Sequence, residues 1–163
     1  MKFFEIYELE PLFSISEEEL KKKYIQLQKK NHPDKFAVAT DAEKKRALLQ
    51  SSIVNDAYEV LKNDIKRALY LLDCNKIKIG NINNSKFLMQ QMDYEEFLEE
   101  NSANKNKLQE FHQKVTVILN DELKIIENFF KKNQLESVAK KINELIFLEK
   151  FIHRIKERLN FLD

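Results

Sequence analysis

Apolar residues in this chain recur three and four positions apart over most of its length, the spacing of helices that bury one face. The pattern is clearest near the C-terminal end. There Leu135, Val138, Ile142, Leu145, Leu148, Ile152, Ile155, Leu159 and Leu162 form one continuous series. It predicts a helix over 134–162, preceded by two more over 105–132 and about 86–100. Upstream, Leu20, Tyr24 and Leu27 form one stripe. Ala47, Val54, Ala57 and Leu61 form another, with Gln50 filling the repeat. Ser16 with Glu19, and Thr40 with Glu43, are spaced as capping boxes that start these two helices. "FFEIYEL", ahead of Pro11, predicts a short first helix, and "DIKRALYLLDC" a short one that closes this half.

The stripes fall into two groups separated by "NKIKIGNINNS", which holds the lone glycine and a cluster of asparagines. The expected organisation is a first domain at 1–74, a linker at 75–85, and a three-helix bundle at 86–163. With one Gly and two Pro in 163 residues, the tight turns that β-hairpins need are scarce. The fold class is all-α, an antiparallel helical hairpin followed by a bundle.

Charge and composition exclude several functions. Twenty-eight basic and 27 acidic residues leave a net charge of +1, so no global field draws the chain to nucleic acid or to an anionic membrane. Cys74 is the only cysteine, which rules out an intrachain disulfide and a Cys-based zinc cluster. One glycine excludes a phosphate-binding GxxxxGK[ST] loop and a dinucleotide GxGxxG fingerprint. "MKFFEIYEL" carries Glu5 and Glu8 too early for a signal peptide, and no long uncharged apolar run follows. A cytoplasmic protein without resident cofactor or metal is expected.

Candidate chemistry gathers at "QKKNHPDKFA", residues 28–37. Pro33 lacks an N–H and disfavours helix at His32, so the second helix must stop there. A bare turn would account for the tripeptide. A catalytic reading makes His32 a base oriented by Asp34, but the chain offers no nucleophile to complete it. A metal reading must use His32, His112 and His153, which lie on separate elements. The preceding helix points elsewhere. At roughly 100° per residue, Lys22, Gln26, Lys29 and Lys30 lie away from the apolar stripe, and Lys35 follows the loop. A lysine face leading into a rigid loop that displays a carboxylate would suit docking to an acidic partner that carries a cation.

The segment "FFEIYEL…LKKKYIQLQKKNHPDKF…SSIVNDAYEVLKN" resembles a J-domain, with HPD between antiparallel helices and "NDAYEVL" about twenty residues later. J-domains stimulate ATP hydrolysis by heat-shock chaperones. The resemblance implies that His32, Pro33 and Asp34 carry the stimulation, and that Lys22, Gln26, Lys29, Lys30 and Lys35 supply attraction. Asn31 stands where many J-domains have a tyrosine. Proline rigidity would limit the entropy lost on docking, and the lysines would make encounter salt-sensitive.

The second half lacks the Gly/Phe-rich segment and CxxC repeats of general folding J-proteins. Its informative piece is "FLMQQMDYEEFLEE", residues 87–100. Phe87, Tyr94 and Leu98 share one side of a projected helix. Leu88, Met89 and Met92 lie roughly 150° away, bordered by Asp93, Glu96 and Glu100. Such a helix either buries both sides in the bundle or offers one to a partner. Acidic neighbours favour the offer, since carboxylates are rarely buried unpaired.

Together with "LQKKNHPDKF" and "KRALYLL", this piece resembles the J-type co-chaperones of iron–sulfur cluster assembly, the HscB type. The resemblance implies two partners, an HscA-type chaperone ATPase and the iron–sulfur cluster scaffold protein. The scaffold would bind Leu88, Met89, Met92, Asp93, Glu96 and Glu100, with Phe147 from the last helix. Two positions depart from the family: Glu95 stands where an arginine is common, and "KNDIKRA" lacks a frequent proline. Burying three Leu- or Met-sized side chains yields roughly 5–8 kcal/mol, and association costs as much or more. Charge pairing is therefore needed to reach micromolar affinity, about −8 kcal/mol. The alternatives are a general J-protein that delivers unfolded clients, and an adaptor with a degenerate J-domain. Cys74, in "YLLDC", reads as a packed residue.

Overall fold

The computed structural model describes residues 1–30, 40–81 and 84–162, and every regular element among them is an α-helix. In chain order these are α1 (Lys2–Ile6), α2 (Glu17–Lys30), α3 (Asp41–Leu61), α4 (Asp64–Cys74), α5 (Ser85–Glu100), α6 (Lys105–Lys131) and α7 (Leu135–Asn160). They divide into two compact units, Met1–Lys76 and Ile77–Asp163.

In the first unit α3 is the central element, in contact with α1, α2 and α4. Helices α2 and α3 run antiparallel. Tyr24 stacks on Tyr58 with ring centroids 4.1 Å apart, and one turn further on Gln28 and Tyr24 both donate to the Asn55 side chain. The predicted stripe is buried at Ala47, Val54, Ala57 and Leu61, while Gln50 stays exposed. The Thr40 box is complete: Thr40 and Glu43 each bond the other's backbone N–H. At Ser16 the hydroxyl accepts from Glu19 N at 3.2 Å, and Glu19's carboxylate pairs with Lys23 at 3.0 Å.

The first helix is shorter than its apolar residues predict. It ends at Ile6 because Glu8 turns left-handed (φ 49°). Glu8 N then donates to Glu5 O, and Leu9 N to Phe4 O, which is a Schellman closure. Asn133 (φ 54°) closes α6 in the same way, with Gln134 N donating to Phe129 O. Lys76 (φ 59°) follows α4. With a single glycine in the chain, the three left-handed positions among the described residues carry side chains, and Gly80 itself does not adopt positive φ.

Arg67 is the buried charge among the described residues of the first unit, 4% exposed. Its Nε donates to Phe13 O at 2.6 Å, its other nitrogens reach Leu61 O and Asp64, and its guanidinium lies over the Phe13 ring. One side chain thus ties the segment before α2 to the α3–α4 corner. Asn63 caps α4 by accepting from Lys66 N at 2.8 Å.

The second unit is a bundle of α5, α6 and α7. Its core joins Tyr94 and Leu98 of α5, Leu108, Phe111 and Val115 of α6, and Leu148, Phe151 and Ile155 of α7. Asn84 and Asn104 cap α5 and α6 through their side-chain oxygens. Residues 77–81 lie on this unit, where Asn143 donates to Gly80 O at 2.7 Å. Lys141 of α7 is held by Glu122 of α6 and Glu144. Burial lowers its pKa, but the two carboxylates together raise it further.

Candidate functional site

Two exposed helix surfaces carry the candidate residues, one in each unit. In the first unit Leu20 is buried and Tyr24 is fixed against Tyr58, which fixes the rotation of α2. Lys22, Gln26, Lys29 and Lys30 therefore stand exposed. Lys23 lies outside this group, because its ammonium donates to Glu8 O at 2.9 Å and pairs with Glu19. The four exposed side chains lead toward residues 31–39. His32, Pro33, Asp34 and Lys35 lie outside the described residues.

In the second unit α5 has two unlike sides. Phe87, Tyr94 and Leu98 are buried. Phe87 meets Phe147 edge-on at 5.6 Å, and Tyr94 meets Phe111 edge-on at 5.2 Å. The opposite side stays open. Leu88 is 47%, Met89 67% and Met92 71% exposed, with Asp93, Glu96 and Glu100 exposed beside them. A buried aromatic side thus holds the Leu/Met side outward, as the helical projection predicts.

Phe147 is half-buried. It stacks on Phe151 at 5.6 Å, yet it also lines a shallow groove between α5 and α7 with Leu88, Met92 and Glu96. Gln91, Glu95 and Glu99 complete that groove. At roughly 100° per residue, Leu88, Met92, Glu95 and Glu99 make a strip along its α5 wall, and Met89, Asp93 and Glu100 lie roughly 100° around the helix on the outer flank. Sequence reasoning missed Gln91 and Glu99. Their three- and four-residue spacing from Leu88 and Glu95 is the signal that would have found them.

Glu95 does not point into solvent alone. Both its oxygens accept from Arg154 of α7, one at 2.7 Å, and Arg154 lies over the Phe151 ring. This pairing raises the guanidinium's pKa above its already high ordinary value. His112 lies on α6, and His153 of α7 pairs with Glu157 at 3.3 Å. Among the described residues no helix is long and apolar enough to cross a membrane.

A helical hairpin of this kind, with HPD in the connecting sequence, defines a J-protein, here with a helical bundle attached. Residues 2–70 match the DnaJ domain family, and residues 83–156 match the family described as the HSCB C-terminal oligomerisation domain. The "co-chaperone protein HscB homolog" of Neisseria gonorrhoeae is 34% identical over 97% of this chain and 99% of its own length. "Chaperone HscB from Vibrio cholerae" superposes with a TM-score of 0.90 at 31% identity, over the whole of both chains. Human co-chaperone protein HscB, 24% identical, shares the fold with a TM-score of 0.89 over 96% of this chain and 81% of its own. The chain belongs to the HscB family of J-type co-chaperones, and its role is that of a co-chaperone in iron–sulfur cluster assembly.

Proposed function

We propose that the chain works with two arms. One is the J-domain, in which His32, Pro33, Asp34 and Lys35, with Lys22, Gln26, Lys29 and Lys30, engage an HscA-type chaperone ATPase and trigger ATP hydrolysis. The other is the bundle. There Leu88, Met89, Met92, Asp93, Glu96, Glu100 and Phe147 hold the iron–sulfur cluster scaffold protein and present it to that ATPase. The chain makes and breaks no bond itself. Its bacterial relatives support a place in the bacterial cytoplasm.

The observation that carries this reading is the open Leu88–Met89–Met92 patch on a helix whose other side is fully packed. Nothing in the bundle's own core requires those three apolar side chains to face outward. Methionine is flexible and polarisable, which suits a surface that must adapt to a partner. The acidic border adds the charge pairing that apolar burial alone does not supply.

Calorimetric titration of the purified scaffold into wild type and into Leu88→Ser/Met89→Ser/Met92→Ser tests it, with circular dichroism to check folding. Salt-sensitive binding by wild type, lost in the folded variant, is expected. Equal binding by both proteins, or salt-insensitive nanomolar binding, would overturn it.

A further inference from the structure

We infer that the docking surface does not end at the acidic residues of α5 but runs along the α5–α7 seam to Phe161, which acts as a second apolar anchor for the same partner. The inference rests on the docking reading above and deepens it. Helices α5 and α7 run parallel, with Phe87 beside Phe147, Tyr94 beside Phe151, and Ser102 beside Arg158. The groove that begins at Leu88 and Phe147 reaches Glu99. A second groove begins at Glu99 and continues past Ser102, Arg154 and Arg158 to Phe161. Glu99 lines both, so the two form one continuous seam.

The α7 wall of this seam is a single stripe. Phe147, Arg154, Arg158 and Phe161 are spaced seven, four and three, which places them within roughly 60° of one another. Phe161 is 83% exposed, the most open of the large apolar side chains described. It nevertheless has a defined backbone, since its N–H donates to Glu157 O and Arg158 O. Arg154 is paired with Glu95, whereas Arg158 donates through Nε to the neutral Ser102 O at 2.8 Å and keeps its charge beside the Phe161 end. The middle of the seam is acidic at Glu96 and Glu99, and both of its ends are apolar.

That pattern fits one occupant, a basic amphipathic segment of the scaffold. Its cations would lie over the α5 carboxylates, one apolar side chain would meet Leu88, Met92 and Phe147, and another would cover Phe161. Phe147 to Phe161 spans about 21 Å at the helical rise, so the segment must be at least that long.

Two variants of the full-length chain, titrated calorimetrically with the purified scaffold, test this. Phe161→Ser removes an exposed side chain and leaves the helical spectrum unchanged. It should weaken binding about fivefold or more, the loss expected of an anchor residue. Glu99→Lys should weaken binding and flatten its salt dependence. If Phe161→Ser binds like wild type while the Leu88/Met89/Met92 variant does not, the extension is wrong and the docking reading stands. If Glu99→Lys strengthens binding, the partner segment is acidic and the assignment is overturned. If wild type itself does not bind, both fall together.

Discussion

Glu95 of α5 and Arg154 of α7, 59 positions apart in sequence, face each other across the seam with both carboxylate oxygens engaged by the guanidinium. Here the cation comes from the neighbouring helix, so the acidic side chain joins two elements instead of pairing within one. Both side chains remain partly open, 50% and 38% exposed, and solvent weakens the attraction. A double-mutant cycle with Glu95→Ala and Arg154→Ala, read by urea unfolding of the second unit, should give a coupling of about 0.5–1 kcal/mol. A coupling near zero would mean that the bridge orients the helices without stabilising them.

Arg67 is expected to matter far more than any lysine on α2. It is buried and donates to Phe13 O and Leu61 O as well as to Asp64. Truncation would strand two buried carbonyls, while the Asp64 carboxylate, 42% exposed, stays in contact with water. Arg67→Ala should lower the stability of the first unit by about 3 kcal/mol. Tyrosine fluorescence during urea unfolding can follow this, since Tyr7, Tyr24, Tyr58 and Tyr70 lie in that unit and only Tyr94 lies in the other. Lys22→Ala, at an exposed position, should leave the same curve unmoved.

The single glycine sits where glycine is not needed, and a left-handed position lacks one. A Cβ added to Gly80 meets nothing within 4 Å, and its φ is not positive. Lys76, at φ 59°, bears a side chain in the region that favours glycine. Lys76→Gly should therefore stabilise the chain by about 0.5–1 kcal/mol, and Gly80→Ala should be neutral or stabilising by up to about 1 kcal/mol. Thermal unfolding of the two variants checks both signs.

Tyr7 gives the first unit an alkaline limit. Its phenol is buried and donates to Val54 O at 2.7 Å. Burial, followed by the neighbouring Tyr24 and Tyr58 phenols, raises its pKa far above the ordinary value. The folded chain keeps a proton that the unfolded chain releases near pH 10. The stabilisation is therefore complete below about pH 10 and declines as pH rises beyond it. Melting temperatures across this range should fall for wild type. The slope should be shallower in Tyr7→Phe, which starts lower at neutral pH by about 1 kcal/mol for the lost hydrogen bond.

The helices were legible because each buries one continuous stripe, and the caps at Thr40 and Ser16 announce two starts. The two-sided character of α5 was legible for the same reason: Phe87, Tyr94 and Leu98 turn inward and Leu88, Met89 and Met92 outward. Other features depend on which helices become neighbours. The Glu95–Arg154 bridge is such a case, and so is the seam reaching Phe161. Arg67 reads in sequence as one more solvated cation, and only the corner between α3 and α4 reveals its three acceptors. The end of α1 was misjudged because Glu8 takes a conformation that composition assigns to glycine.

The central claim is that one chain carries a trigger and a holder that act separately. The most direct test is the steady-state ATPase rate of the HscA-type chaperone with and without scaffold, comparing wild type, Asp34→Asn and Leu88→Ser/Met89→Ser/Met92→Ser. The account predicts that the triple variant stimulates like wild type without scaffold but loses the further stimulation that scaffold adds. Asp34→Asn should lose both while still binding scaffold by calorimetry. A triple variant that responds to scaffold as wild type does, or an Asp34→Asn variant with full stimulation, would contradict it.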